Sequence, residues 1–178
     1  HLQGVDVDPR LVEVCRSTFP YATFAHVRQL PPTPYPDGSF DVITAYSVFS
    51  HLAEHASLAW VNEFARLLKP GGLMLVTTQR RDFIAFCASL RGQDHGPGWH
   101  QTLSRAFVDT DAAYAAYDAG KYLYAPTGGG ESRPADFYGE ALIPEGYVRK
   151  RYTRAFDFVD FVSDAALLAQ ALIVLKKR

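Results

Sequence analysis

The hydrophobic positions of residues 36–78 follow two different periods, and this stretch predicts most of the fold. Residues 40–46 form a short run of β-branched and aromatic side chains, as expected of a mostly buried strand. From Ser50 to Leu68 the apolar residues recur at helical spacing, which predicts an amphipathic helix. Proline and glycine in Lys69-Pro70-Gly71-Gly72 end that helix, and Leu73–Thr78 reads as a second apolar strand.

A strand, a helix and a strand in this order predict a right-handed crossover onto a parallel sheet. Strands predicted at Phe156–Val162 and Gln170–Lys176 are too close in sequence for a crossover helix, so they should pair antiparallel. We therefore expect an α/β fold, a Rossmann-like doubly wound sheet that is mostly parallel with an antiparallel last strand. Further elements are expected at His1–Pro9 (the end of a strand that runs into an acidic turn), Arg10–Thr18 (helix), Tyr21–Val27 (strand), Arg81–Leu90 (helix) and after Pro144 (helix).

Residues 91–142 have the least regular pattern of the chain. Glycine and proline interrupt them, Ala106–Ala119 permits a short helix, and Gly128-Gly129-Gly130 marks a loop or hairpin tip. Their many aromatic side chains are unlike a disordered linker. We expect residues 1–90 to form a core, residues 91–142 an ordered insertion or lid, and residues 143–178 a helix and terminal hairpin that complete the sheet.

Composition narrows the class of protein further. The 178 residues carry a net charge of −1, which gives no basic face for nucleic acid. The most apolar windows are far shorter than the roughly 20 residues that cross a bilayer. Cys15 and Cys87 lie in apolar helical contexts, and we interpret both as buried thiols in a reducing compartment. These features predict a soluble, cytoplasmic protein that has no membrane span and does not bind nucleic acid.

Four motifs in order carry a family resemblance: Leu-Gln-Gly-Val-Asp-Val-Asp-Pro at residues 2–9, Asp-Gly-Ser-Phe-Asp-Val-Ile at 37–43, Ser-Val-Phe-Ser-His-Leu at 47–52, and Arg-Leu-Leu-Lys-Pro-Gly-Gly at 66–72. Together they resemble class I S-adenosylmethionine-dependent methyltransferases, in particular the small-molecule branch that carries a methyltransferase domain. The resemblance covers residues 2–78 closely and implies S-adenosylmethionine as cofactor.

The resemblance also implies cofactor contacts. Asp6, at the carboxyl end of a parallel strand, is placed to accept both ribose hydroxyls. The alternative for Asp6 is a helix cap, a role that Asp8 before Pro9 fills better. Val7 would lie against the adenine. His26 stands where the family commonly has an acidic or amide residue, so it meets the adenine amino group or is simply a surface histidine.

Tyr46 and Ser47 follow the strand at the topological switch region, where the methionine portion of the cofactor is expected. A packed aromatic is the other reading of Tyr46. An Asn/Asp-Pro-Pro-Tyr motif does not follow this strand, which argues against methylation of exocyclic nitrogens of nucleobases.

Residues 51–55 also spell His-x-x-Glu-His, a zinc-hydrolase signature. The surrounding motifs belong to another family, and nothing marks a third ligand among Glu131, Glu140 and Glu145, so we expect no metal. A hydroxyl acceptor needs a base. The candidates are His51, after the fourth strand of the family fold, and His95 and His100 in the insertion.

Class I methyltransferases carry a glycine-rich loop after their first strand, and residues 1–9 lie beyond that position. We therefore expect a sheet truncated before its second strand and upstream residues that complete the cofactor site. Two hypotheses follow. The chain is part of an enzyme that methylates an oxygen or nitrogen of a small molecule, with a glycan-related acceptor as one candidate. Alternatively, it is a non-catalytic methyltransferase-like module within a larger polypeptide.

Overall fold

The computed structural model describes residues 2–178, which form strands and helices in α/β alternation. The first half holds β1 (Gln3–Asp6), α1 (Pro9–Thr18), β2 (Thr23–His26), β3 (Phe40–Ala45), α2 (Glu54–Leu67), β4 (Leu68–Thr78) and α3 (Phe83–Ser89). The second half holds α4 (Trp99–Leu103), α5 (Thr110–Asp118), β5 (Leu123–Ala125), β6 (Glu140–Leu142), α6 (Glu145–Arg151), β7 (Phe156–Val162) and β8 (Ala171–Lys177). Within residues 2–178 we find no helix with the length and apolar character of a membrane-spanning segment.

The main sheet has four strands in the order β3-β4-β8-β7. β3 and β4 are parallel, whereas β8 runs antiparallel to both of its neighbours, β4 and β7. β7 therefore points the same way as β3 and β4, and only β8 is reversed. This arrangement confirms the predicted mostly parallel sheet with an antiparallel last strand.

β1 and β2 form a separate parallel pair, and in residues 2–178 neither strand is hydrogen-bonded to the main sheet. The doubly wound arrangement is thus present as these two groups of strands, and β5 and β6 form a third, antiparallel pair in the insertion and crossing region. Apolar side chains are exposed in both groups, with Val5 of β1 at 40% and Val42 of β3 at 48%. In the parallel pair, the last residues of the two strands, Asp6 and His26, are register partners.

Local period predicted the kinds of element correctly, but several boundaries were wrong. The helix predicted from Ser50 begins only at Glu54, because residues 50–53 bond to residues 137–141 instead of continuing the helix. In the insertion, the helix is Thr110–Asp118, shorter than the predicted Ala106–Ala119.

The Lys69-to-Gly72 segment lies inside β4 as an irregularity, where a turn between helix and strand was predicted. The β3–β4 register jumps from the pair Phe40–Leu68 to the pair Val42–Leu73. Gly71 has the expected positive φ of 80°, which glycine adopts without strain. Gly72 is needed for a different reason, since a Cβ there would lie 2.9 Å from a backbone oxygen of β3.

The main core lies between α2, the sheet and α6. Trp60 and Phe64 of α2, Met74 and Ile173 of the sheet, and Val148 of α6 are all buried in one apolar cluster. Each such side chain stabilises the fold by about 1.5–3 kcal/mol relative to its exposed state. The core therefore fixes the crossover helix against the strands whose carboxyl ends carry the candidate site.

An ion pair anchors the proline-rich loop, residues 28–37, to α2. The Glu63 Oε1 atom accepts hydrogen bonds from the backbone amide and the hydroxyl of Thr33, each 2.7 Å long. Arg66 donates to both carboxylate oxygens of Glu63 and to the carbonyl oxygen of Tyr35 at 2.8 Å. Burial alone would raise the pKa of Glu63, but the hydrogen bonds from Arg66 and Thr33 outweigh it and hold the pKa at about 2.

We predict that Glu63→Gln lowers the free energy of unfolding by about 1–3 kcal/mol at neutral pH, because it removes charge-assisted hydrogen bonds. The pKa of Glu63 is about 2 in the folded state, against 4.5 for an unperturbed glutamate. The carboxylate therefore stabilises the fold fully above about pH 5 and loses that effect as the pH falls toward 2. Urea unfolding of both proteins across this pH range measures the difference.

The matched control is Glu13→Gln, because the Glu13 side chain is 76% exposed and lies 3.7 Å from Arg16. It should change stability by less than about 0.5 kcal/mol. A stability difference for Glu63→Gln that stays constant down to about pH 2 would contradict the assignment.

Candidate functional site

Three of the predicted cofactor residues lie together at the carboxyl ends of β1 and β2. Asp6 ends β1 beside its register partner His26, which ends β2. His26 is exposed, whereas Asp6 and Val7 are half-buried. Val7 also packs against the rim of the main apolar cluster. The strand ends thus present an acid, an apolar surface and an imidazole side by side.

The two aspartates of this turn have different partners. The Asp8 Oδ1 atom accepts from the amide of Arg10 at 2.9 Å and caps α1, as predicted. The Asp6 Oδ1 atom accepts from the amide of Asp8 at 2.8 Å, which fixes the orientation of the carboxylate. Within the described residues Asp6 forms no ion pair, so its Oδ2 atom is free to accept hydrogen bonds from a diol.

Tyr46 and Ser47 follow β3, and a polar network holds the second of them. Ser47 has a φ of 55°, and its amide donates to the Thr77 hydroxyl at 2.7 Å. Gln170 accepts from Thr77 at 2.6 Å and donates to the Ser47 hydroxyl at 3.1 Å. The network joins the ends of β3 and β4 to the start of β8. Tyr46 is 64% exposed, so the packed-aromatic reading of this residue is wrong.

Residues 137–143, which we call the crossing segment, connect the turn after β3 to the end of β4. Three backbone hydrogen bonds of 2.7–2.9 Å join it to residues 50–53. The Thr78 hydroxyl accepts from the Ile143 amide at 2.9 Å and donates to the Ala141 carbonyl at 3.2 Å, and the Gln79 amide donates to the same carbonyl at 3.3 Å. These bonds attach the insertion to the carboxyl edge of the main sheet, where the candidate site lies.

The crossing segment determines the orientation of the His51 ring. The Nδ1 atom of His51 lies 2.8 Å from the carbonyl oxygen of Gly139, and a carbonyl only accepts, so Nδ1 carries the proton in this hydrogen bond. The ring also stacks on Tyr138, with centroids 4.8 Å apart and planes inclined by 11°. The side chain is 14% exposed. In the neutral ring the Nε2 atom is therefore left as a hydrogen-bond acceptor.

Glu140 is a buried carboxylate in the same segment, with its side chain only 1% exposed. Its Oε1 atom accepts from the indole N–H of Trp99 at 2.9 Å. Its Oε2 atom accepts from the side-chain amide of Gln79 at 3.1 Å and lies 3.5 Å from the Nδ1 atom of His51. The carboxylate thus joins three separate parts of the chain.

The other two histidine candidates lie further out in the insertion. The Nε2 atom of His95 lies 2.9 Å from the carbonyl oxygen of Leu90. His100 is exposed on α4, with its ring centroid 5.6 Å from that of His95 and 5.5 Å from that of Trp99. These rings and Phe86 form an aromatic cluster that reaches Glu140 through the Trp99 indole.

The geometry of the His-x-x-Glu-His motif differs from that of a zinc helix. His51 lies in the turn before α2, while His55 is exposed on the first turn of that helix. In the part of the chain that the structure describes, no three His, Cys, Asp or Glu side chains are grouped to hold a metal ion. The carboxylate beside His51 is that of Glu140, from another part of the chain.

Sequence reasoning missed the importance of Glu140, Gln79 and Gln170. Glu140 is the one charged residue between Phe137 and Ile143, and a lone acid in an apolar run is a signal of a buried carboxylate with partners. The two glutamines carry no such signal, because their role depends on which strand ends meet.

Comparisons with known proteins identify the first part of the chain. Residues 1–76 match the family model described as a methyltransferase domain. Over 78 residues the chain is 37% identical to a probable S-adenosylmethionine-dependent methyltransferase of Mycolicibacterium smegmatis. Residues 1–76 are thus similar in sequence to S-adenosylmethionine-dependent methyltransferases. The resemblance predicted from the four motifs, which all lie in this stretch, is confirmed.

The sequence match spans only part of each protein. The alignment covers 44% of this chain and 29% of the mycobacterial protein, so the matched stretch corresponds to less than a third of the relative's length.

Solved structures extend the likeness of fold to the remainder of the chain. A methyltransferase of Methanosarcina mazei superposes with a TM-score of 0.63 at 13% identity, over 98% of this chain and 81% of that one. The N-methyltransferase NodS of Bradyrhizobium japonicum, solved with S-adenosylhomocysteine, gives 0.52 at 14% identity, over 99% and 66% of the two chains. The predicted Rossmann-like methyltransferase fold is confirmed.

We predict that the two cysteines differ in reactivity. Cys87 of α3 is completely buried, and burial, reinforced by the negative charge of Glu140, raises the pKa of its thiol to about 12. Because the thiolate is the nucleophile, iodoacetamide at about pH 8 should leave Cys87 of the folded protein unmodified. Cys15 is partly exposed, contrary to the expectation from sequence, and should react at least about tenfold faster. Mass spectrometry of peptides after timed labelling measures both rates.

The control variant is Cys15→Ser, which should take up almost no label until urea unfolds it. Native Cys87 that reacts as fast as Cys15 would contradict the burial of α3 against the insertion.

Proposed function

We propose that this chain forms part of an S-adenosylmethionine-dependent methyltransferase that acts on an oxygen or nitrogen of a small molecule. The observation that carries the proposal is the Asp6 carboxylate. It is oriented at the carboxyl end of a parallel strand, it has a free oxygen atom, and it lies in the stretch that matches the family model. The co-crystallisation of S-adenosylhomocysteine with NodS, which shares the fold, supports the choice of cofactor.

The residues at the strand ends suit the parts of that cofactor. Asp6 would accept hydrogen bonds from the ribose hydroxyls, and Val7 and His26 would face the adenine. Tyr46 and Ser47 would lie beside the methionine portion, with Ser47 held in place through Thr77. When bound, the cofactor supplies a methyl group made electrophilic by the positive charge on sulfur. The protein then has to align the acceptor and remove its proton.

The insertion, residues 91–142, is our candidate for the acceptor pocket. Its aromatic cluster lies beside Glu140, which in turn contacts the turn after β3. An apolar wall for a small organic acceptor is formed by the rings of Trp99 and His100 in the insertion together with Phe86 of the adjacent α3.

Among the three histidines, the contacts favour His51 as the base. Its Nδ1 atom donates to Gly139, so the Nε2 atom is available for a proton from the acceptor. In His95 the Nε2 atom lies against the carbonyl oxygen of Leu90, which leaves Nδ1 as the acceptor. Among the described residues, however, no carboxylate lies within ion-pair distance of that ring, as Glu140 does at His51. His100 is exposed, and its ring has only aromatic neighbours to orient it.

The proposal also covers the class of acceptor and the location of the protein. We include glycan-related compounds among the candidate acceptors. The free state of Cys15 and Cys87 supports a reducing, cytoplasmic location.

We predict that the protein, at its full natural length, binds S-adenosylhomocysteine and that Asp6→Ala weakens binding by about 10- to 100-fold. The reason is the loss of charge-assisted hydrogen bonds to the ribose, each contributing about 1.5–3 kcal/mol. Isothermal titration calorimetry with S-adenosylhomocysteine measures the affinity of each variant.

Asp41→Ala is the matched control, because that carboxylate is 79% exposed and pairs with Lys69. It should bind as the wild type does. Unchanged affinity in Asp6→Ala would overturn the role of Asp6 alone. The absence of binding by the wild type would overturn the enzyme and favour the non-catalytic module.

A further inference from the structure

We propose that Glu140 is a positioning residue, whose buried carboxylate holds His51 in the tautomer that can accept a proton at Nε2. The inference rests on the proposed function, in which His51 is the base. Glu140 does not itself reach the acceptor in this scheme, because its oxygens are already engaged by side chains of the protein.

Every side chain that contacts the carboxylate can serve as a donor. The indole N–H of Trp99 has no acceptor function, the Gln79 amide offers its NH₂ group, and the Nδ1 atom of His51 is protonated through its bond to Gly139. Such a set of donors suits an ionised carboxylate. Among the described residues, His51 is also the only basic side chain within ion-pair distance of Glu140, with its Nδ1 atom 3.5 Å from Oε2.

Two further contacts restrict the ring. Tyr138 stacks on one face of His51. The backbone of Gly139 forms two hydrogen bonds with His51. The Gly139 amide donates to the His51 carbonyl oxygen at 2.8 Å, and the Gly139 carbonyl oxygen accepts from the Nδ1 atom of His51. Gly139 and Glu140 both lie on the Nδ1 side of the ring. In the tautomer with hydrogen on Nε2, the Gly139 carbonyl oxygen and the Glu140 carboxylate would both face the lone pair of Nδ1, so this tautomer is disfavoured.

The proton follows a defined route in this scheme. The hydroxyl or ammonium group of the acceptor gives its proton to Nε2, which produces an imidazolium, and the carboxylate of Glu140 balances the new positive charge. The exposed 14% of the His51 side chain then allows the proton to pass to water.

The test reads the tautomer of His51 directly and needs no acceptor. Long-range ¹H–¹⁵N spectra of protein labelled at histidine distinguish protonated from unprotonated ring nitrogens, and His51→Asn assigns the signal. In the wild type, neutral His51 should carry its hydrogen on Nδ1. In Glu140→Gln, which keeps the shape but removes the charge, the ratio of the Nε2–H to the Nδ1–H form should rise at least about threefold.

Two control variants separate charge from packing. Glu145→Gln makes the same chemical change on a half-exposed residue of α6 that pairs with Arg149, and should leave the spectrum of His51 unchanged. Trp99→Phe removes a hydrogen bond of Glu140 but keeps its charge, and should also preserve the tautomer.

Three outcomes would overturn the proposal: a wild-type His51 with hydrogen on Nε2, an unchanged ratio in Glu140→Gln, or an equal change in Trp99→Phe. If Glu140→Gln does not fold, Glu140→Asp replaces it, since the shorter acid keeps the charge but withdraws it from the ring, and an unchanged ratio there overturns the proposal equally. Titration of the wild type with S-adenosylhomocysteine, beside the measurement of the His51 tautomer, separates the two proposals. Failure of the wild type to bind counts against the proposed function, whereas the tautomer counts for or against the role of Glu140.

Discussion

The hydrogen bonds of the crossing segment are the constraint on which the candidate site depends. Residues 50–53 lie in the turn between β3 and α2, residues 78–79 lie at the end of β4, and the backbone of residues 137–143 joins them. Buried amides and carbonyls must find partners, and those of residues 50–53 find them in this segment, so α2 starts one turn later than its apolar period suggests. The late start leaves His51 in a turn, with its ring directed by Gly139 rather than by a helix.

The same crossing explains how a carboxylate can be buried at the edge of the sheet. A charged group without partners would cost several kcal/mol in an apolar environment. Glu140 avoids that cost because Trp99 of α4, Gln79 after β4 and the turn that holds His51 each direct a donor at it. Displacement of any one of these segments would leave the other donors around a poorly solvated charge, so the carboxylate couples the insertion to the core.

Local patterns in the sequence predicted most elements outside residues 91–142, but they did not predict α4, β5 and β6 or the contacts of the site. The change of period between residues 46 and 50 predicts strand and helix, the short distance between β7 and β8 predicts their antiparallel pairing, and Asp8 before Pro9 predicts a cap, because each depends on neighbours in the chain. Glu140 is 89 residues away from His51 in sequence, and their meeting follows from tertiary hydrogen bonds that no local pattern contains. The bulge at Lys69–Gly72 was missed for a similar reason, since it reflects pairing with β3.

Gly139 has a consequence for how such an insertion can vary. A Cβ atom at this position would overlap the carbonyl oxygen of Ala125 and lie 2.9 Å from the ring of Tyr124, so β5 and the crossing segment approach too closely for any side chain. Any side chain at position 139 would therefore displace β5. In the loop before α4, a Cβ atom at Gly92, Gly96 or Gly98 would have no atom within 4 Å. Changes in the length or sequence of that loop would therefore leave this point of attachment intact.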